Sequence, residues 1–162
     1  MSPIAKKKYY QWITKEALKS EKFKALLKDY QENKQHLDVV GPIKTQAAFM
    51  LSALSLLNKD KHSFNFLIAK DELELRNLEN LMKAFYPGEV LSFRPRDFNL
   101  TKVESSSKDL MHSRLSVISK IFRIDEYDLK PIVITSPRAL LQRMPSVSSL
   151  KENFLKIISF SF

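Results

Sequence analysis

The residues best suited to chemistry are Gly41, Lys44 and Thr45, in the stretch LDVVGPIKTQAAFMLSALSLL over residues 37–57. This stretch reads as a short apolar strand, a turn and an apolar helix, which is the layout of a phosphate loop. In such a loop, written G-x-x-x-x-G-K-[ST], glycines let backbone N–H groups close on the phosphates. The lysine adds a point charge, and the hydroxyl holds Mg²⁺. The register puts Lys44 and Thr45 where the lysine and hydroxyl belong, but Asp38 and Ile43 where the two glycines belong. Ile43 places a β-branched side chain where the backbone must come closest, and Pro42 removes one N–H donor. The degenerate loop of Gly41, Lys44 and Thr45 is therefore expected not to bind ATP. A Lys-Thr pair also follows many ordinary strands by chance, so a plain strand-turn-helix joint with an exposed lysine is the competing reading.

Other catalytic constellations are absent from the sequence. His36, His62 and His112 have no metal-ligand spacing, and the pairs Asp71-Glu72 and Asp125-Glu126 fall at a helix start and in a loop, where capping or solvation accounts for them. No run of four apolar residues ends in Asp-Glu, so no second carboxylate motif exists to hold a metal or polarise water. With no cysteine, neither a disulfide framework nor a cysteine zinc site can form. Neither an enzyme, a cofactor nor a metal is expected for this chain.

The elements that would position these residues follow from periodicity. Ser2-Pro3 offers a cap and first-turn proline, with Tyr9, Trp12, Ile13 and Ala17 at helical spacing; a second helix begins near Ser20, with Phe23, Leu26, Leu27 and Tyr30 on its apolar side. Residues 1–36 are thus an N-terminal helical extension. Trp12 is expected to pack, with base stacking the alternative. The run FNFLIA at 64–69 predicts a strand covered on both faces. Asp71 with Glu74 predicts a helix cap, and Pro87-Gly88 its end. Residues 90–93 form a third expected strand, and 94–105 the longest loop. A capping box at 106–109 opens a helix striped by Met111, Leu115, Ile118 and Phe122; Arg114 beside that stripe reads as a buried salt-bridge arginine or a ligand contact. PIVIT at 131–135 is the fourth expected strand, leading into Ser136-Pro137 as cap and first turn, a short helix over 138–144 and a strand-like run at 154–160. Alternating strands and helices predict an α/β fold with a parallel sheet. Residues 37–162 form this domain.

At 162 residues with 44% hydrophobic and 28% charged positions, the chain suits one globular domain. No apolar run approaches a membrane span and no signal-peptide core follows Lys6-Lys7-Lys8, so a cytoplasmic protein without membrane contact is expected. The net charge of +9 would suit weak, non-specific DNA binding. Yet residues 1–36 carry nine lysines against four acids in alternation, which equally describes a solvated helical face.

The ordered set SEKFKALLKDYQ, VVGPIKTQAAFMLSAL, FLIAKDELELRNLENLMKAFYPGEVLSFRPRDF, SSSKDLMHSRLSVISKIF and PIVITSPRALLQRMPSVSSLKENFLKI resembles the N-terminal module of bacterial transcription-repair coupling factor, itself similar to the nucleotide excision repair protein UvrB. The resemblance covers about residues 20–157. Its most specific parts are the serine-rich stretch leading to Asp109 and Arg114-Leu115, then residues 132–144. The resemblance implies a RecA-like, P-loop-type subdomain that has lost ATP binding, with Lys44 and Thr45 as remnants and Asp109, Arg114 and Leu115 as family-pattern residues of structural role. It implies UvrA, RNA polymerase and DNA as partners of the intact protein, chiefly through further domains, and an ATP-driven translocase motor outside this stretch. The family's Trp-Glu-x-Leu-Pro-Tyr-like segment is not matched by Arg96-Asp97-Phe98-Asn99-Leu100-Thr101, and 94–105 has no room for the long damage-probing hairpin of UvrB. The chain is accordingly expected to be a fragment of a longer protein, stopping where the UvrA-binding domain would begin. A different class of function, a stand-alone P-loop-like nucleotide or nucleic-acid binder, rests on Lys44-Thr45 and the positive charge.

Overall fold

The computed structural model describes residues 3–32, 36–58, 65–96, 105–144, 146 and 148, with side chains from residue 8 onward except those of 105–111. In chain order the elements are α1 (Pro3–Ala17), α2 (Glu21–Gln31), α3 (Lys44–Leu57), β1 (Phe66–Ile68), α4 (Glu72–Phe85), β2 (Val90–Phe93), α5 (Ser105–Phe122), a 3₁₀ turn at Ile124–Glu126, β3 (Ile132–Thr135) and α6 (Pro137–Leu140). The three strands form an all-parallel sheet in the order β1-β3-β2. The expected α/β architecture with flanking helices is what the chain forms.

Topology follows from handedness. The chain crosses from β1 to β2 over the position of β3, then returns from β2 to β3. Two right-handed crossovers in opposite directions must lay their helices on opposite faces of the sheet. They do so here. Ile132 and Ile134 of β3 pack with Ala53 of α3, Leu75 and Met82 of α4 and Ile13 of α1. Between them in sequence, Val133 points the other way, into a smaller cluster with Leu91, Phe93, Val117 of α5 and Ala139. Every residue of β3 is buried, as a strand with helices on both faces and a neighbour on each side requires.

Local signals set the helix ends. Asp71 caps α4 by accepting from the Glu74 amide at 2.8 Å, and Glu74 reaches back to accept from the Lys70 amide at 2.8 Å. Ser20 caps α2 through the Phe23 amide. After α4 the chain turns at Pro87-Gly88, and a Cβ on Gly88 would lie 2.5 Å from Cε1 of Tyr86. The buried Tyr86 ring therefore packs close against the turn, with its hydroxyl donating to the Lys130 carbonyl.

α1 and α2 pack onto the larger core. Tyr9 donates to Ala84 O at 2.6 Å, Tyr10 donates to Leu56 O at 3.3 Å, and Tyr30 donates to Asn65 Oδ1, whose amide in turn reaches Ser55 Oγ. Trp12 stands half-exposed, stacked on Tyr9 and edge-on to Phe49. These are packing contacts.

Three expectations are corrected. Residues 37–40 form no strand, and Val40 is 94% exposed. With Asp38 inside it and Pro42 behind it, the LDVV run offers too little apolar length to hold a sheet position, and Gly41 at φ 108° turns it into α3. The second correction concerns β1, which lies at the edge of the described sheet. Leu67 faces the core, whereas Phe66 and Ile68 are 42% and 59% exposed, because the described helices cover one face only. Lastly, α6 ends at Leu140 rather than near residue 144. The strand-like run at 154–160 lies outside the described residues.

Candidate functional site

The stretch read from the sequence as a degenerate phosphate loop sits at the N-terminus of α3, but its geometry does not make a nest. Ile43 occupies the cap position with no side-chain hydrogen bond to offer, and its own amide donates to Gln46 Oε1 at 3.1 Å. Lys44 and Thr45 are exposed. Gly41 and Thr45 border a groove of about 1090 Å³ whose walls are largely apolar, including Phe23, Leu26, Phe49 and Met50. The charged residues along it are Glu16, Asp29 and Asp38 against a single lysine, Lys22. A polyphosphate would meet more negative than positive charge there.

Magnesium ATP is accordingly expected to leave the melting temperature unchanged at millimolar concentration, and Lys44→Ala to melt with the parent. Differential scanning fluorimetry reads both. A rise of several degrees that disappears in the Lys44 variant would contradict this, because a ligand far above its dissociation constant must stabilise the fold it binds.

A second constellation lies at the carboxyl ends of the strands. There β1, β3 and β2 finish in register, with Ile68 opposite Thr135 and Phe93 opposite Thr135 on its other side. Thr135 is fully buried and donates its hydroxyl to Phe93 O at 3.0 Å. Ser136 starts α6 without capping it, since its hydroxyl donates to Glu72 Oε1 at 2.6 Å and so ties the end of β3 to the first turn of α4.

Arg114 reaches this edge from α5. It is 4% exposed, and its Nη1 donates to Arg94 O at 2.6 Å and to Gln142 Oε1 at 3.4 Å, while Nη2 donates to Ala139 O at 3.3 Å. Beneath it, the Phe93 ring lies 4.0 Å from the guanidinium carbon. Among the described residues its partners are thus neutral oxygens and a ring, not the carboxylate of a salt bridge. Burial, with the Arg96 charge nearby, holds its pKa below the usual arginine range. Gln142 also fixes the β2 end: it accepts from the Arg96 amide at 2.7 Å and donates to Arg96 O at 3.0 Å.

Glu79 of α4 serves the same strand. It is 8% exposed and accepts from Lys83 at 2.5 Å and from Arg94 at 2.6 Å. Burial opposes its ionisation, but the hydrogen bonds from Lys83 and Arg94 outweigh that and bring its pKa down to about 2.

The residues singled out by sequence are thus not gathered into one place. Gly41, Lys44 and Thr45 lie at or before the start of α3, while Arg114 and the half-buried Leu115 lie on α5, the helix whose Val117 packs on the other sheet face. Asp109 falls in α5, with its side chain outside the description. His36 comes within 3.3 Å of Asp38, both highly exposed. Among the described residues no group of three or more His, Asp or Glu side chains is placed to hold a metal ion, and no helix is long and apolar enough to cross a membrane. Sequence reasoning passed over Glu79, Arg94, Arg96 and Gln142. The Arg-Pro-Arg that follows β2 was a usable signal, because a parallel strand's carboxyl end is where open α/β sheets bind ligands.

Comparison with protein-family models, with curated proteins and with solved structures found no match.

Proposed function

We propose that this chain is a non-catalytic, UvrB-like module of a transcription-repair coupling factor, supporting the recruitment of UvrA to stalled RNA polymerase in nucleotide excision repair. On this reading its parallel sheet is the core of a degenerate RecA-like subdomain. The observation that carries it is the loop before α3. It keeps the Lys-Thr pair of an ancestral phosphate site at a helix N-terminus, yet Ile43 fills the cap position, no paired strand leads into it and its groove is apolar and acidic. A working nucleotide switch needs those features; a scaffold does not. The ordered resemblance over residues 20–157 supplies the rest of the argument, since it names the family in which such a loop has lost its ligand.

Retention of UvrA tests the assignment. In the resembling family, UvrA is held mainly by the domain that follows this region, and a stable interface takes roughly 800 Å² from each partner. This chain alone is expected to release UvrA in a pull-down, while a protein continuing through the next domain retains it. Capture of UvrA by the 162-residue chain would move the binding surface onto this fold and overturn the scaffold role.

A further inference from the structure

We infer that the carboxyl edge of the sheet, around Arg96 and the buried Arg114, is a binding site for a phosphate-type oxyanion. The inference stands on this edge alone and is independent of the repair assignment.

Charge supplies the first observation. Arg114 is buried with hydrogen bonds only to uncharged oxygens, and no described carboxylate pairs with it. A buried guanidinium without a counter-ion is costly, and arginine sheds its proton too reluctantly to escape the cost. Arg96 adds a second positive charge beside it. The described acids at this edge are already engaged: Glu79 holds Lys83 and Arg94, Glu72 accepts from Ser136, and Asp71 and Glu74 accept from backbone amides at the start of α4.

The second observation is a donor without an acceptor. Arg96 Nε is buried and makes no hydrogen bond, although the backbone of the same residue is held on both sides by Gln142. Gln142 thus fixes the backbone from which the Arg96 side chain extends, and the Nε donor of that side chain is left unused. A guanidinium with donors to spare suits bidentate capture of a tetrahedral oxyanion.

Position supplies the third. In open α/β sheets ligands settle outside the carboxyl ends of the strands, where successive connections leave for opposite faces. Here α4 departs after β1 toward one face, while Ala139 of α6, after β3, packs on the other. Arg138 and Arg143 adjoin Ala139 and Gln142, two of the three residues that accept from Arg114, and make no ion pair among the described residues. The phosphate group is the shared chemistry, and it can come from free phosphate or from the backbone of a nucleic acid.

Inorganic phosphate is the first probe, titrated into the full chain at constant ionic strength with chloride as the replacement, and read by melting temperature and by phosphorus NMR line width. Phosphate is expected to raise the melting temperature and to broaden its own resonance. Arg96→Gln is expected to lose about tenfold in affinity, and Arg96→Lys, which keeps the charge but not the Nε donor, to fall between. A short single-stranded oligonucleotide forms the second arm. Weaker binding of it by Arg96→Gln assigns the phosphate to a nucleic acid backbone, and a response to inorganic phosphate alone assigns it to the free ion. An equal response in the parent and Arg96→Gln would mark a general salt effect on the surface and overturn the inference. So would a response lost in Lys44→Ala but kept in Arg96→Gln, which would return the anion to the loop before α3 and contradict the lost-cradle reading instead.

Discussion

Replacing Arg114 with alanine is expected to lower the unfolding free energy by about 3–5 kcal/mol. The side chain is 4% exposed and serves three acceptors on three segments, Arg94 O after β2, Ala139 O in α6 and Gln142 Oε1 beyond it. Truncation leaves buried carbonyls without donors, at about 1–3 kcal/mol each where water cannot replace them. It also opens a cavity against the Phe93 ring, which the guanidinium now covers at 4.0 Å. Removing a buried cation and its repulsion from Arg96 returns part of that loss. The lost hydrogen bonds prevail because they join three separate pieces of backbone. Arg114→Met retains most of the volume and discards the charge, so its loss should be the smaller of the two. Urea denaturation followed by circular dichroism compares them. A loss below about 1 kcal/mol for the alanine variant would show that these carbonyls rehydrate freely and that Arg114 does not organise this edge.

Acid is expected to destabilise the chain through Glu79. Its folded pKa, about 2, lies below the ordinary value of 4.5, so the ion pair with Lys83 and Arg94 contributes fully above pH 4.5 and is lost as pH falls toward 2. The shift corresponds to about 2–3 kcal/mol once solvent screening at the partly exposed lysine and arginine is allowed for. Glu79→Gln should lose that amount at neutral pH and flatten the stability profile across the same acid window. Urea midpoints taken at pH steps from neutral to 2.5 read the slope, and an unchanged slope in the glutamine variant would assign the acid sensitivity elsewhere.

Much of the fold was legible because its signals are local. Asp71 with Glu74, Ser20 before its helix, Pro87-Gly88 after α4 and Pro137 after Ser136 mark boundaries that the chain obeys. PIVIT reads as a buried strand and is one. What sequence alone leaves open is which apolar run occupies the middle of the sheet. FNFLIA and PIVIT look alike in composition, and only strand order makes the first an edge and the second the centre. LDVV illustrates the converse, since β propensity without a partner leaves no strand.

The candidate site divides in the same way. The departure from a phosphate-loop pattern was readable at Asp38 and Ile43, because a missing glycine is a property of one position. The arginine edge was not, since its residues lie just after β2, on α5 and on or just after α6, up to 48 positions apart, from Arg94 to Gln142. Even Ser136 shows this limit. Its sequence context marks a helix cap, but proximity to α4 gives its hydroxyl a carboxylate to bind instead.

The central claim, that this chain belongs to the machinery coupling repair to transcription, is tested most directly by strand-specific repair of ultraviolet lesions in cells whose gene lacks these residues. The account predicts that the transcribed strand loses its faster repair and falls to the rate of the non-transcribed strand, with the latter unchanged. Persistence of faster repair on the transcribed strand would contradict it.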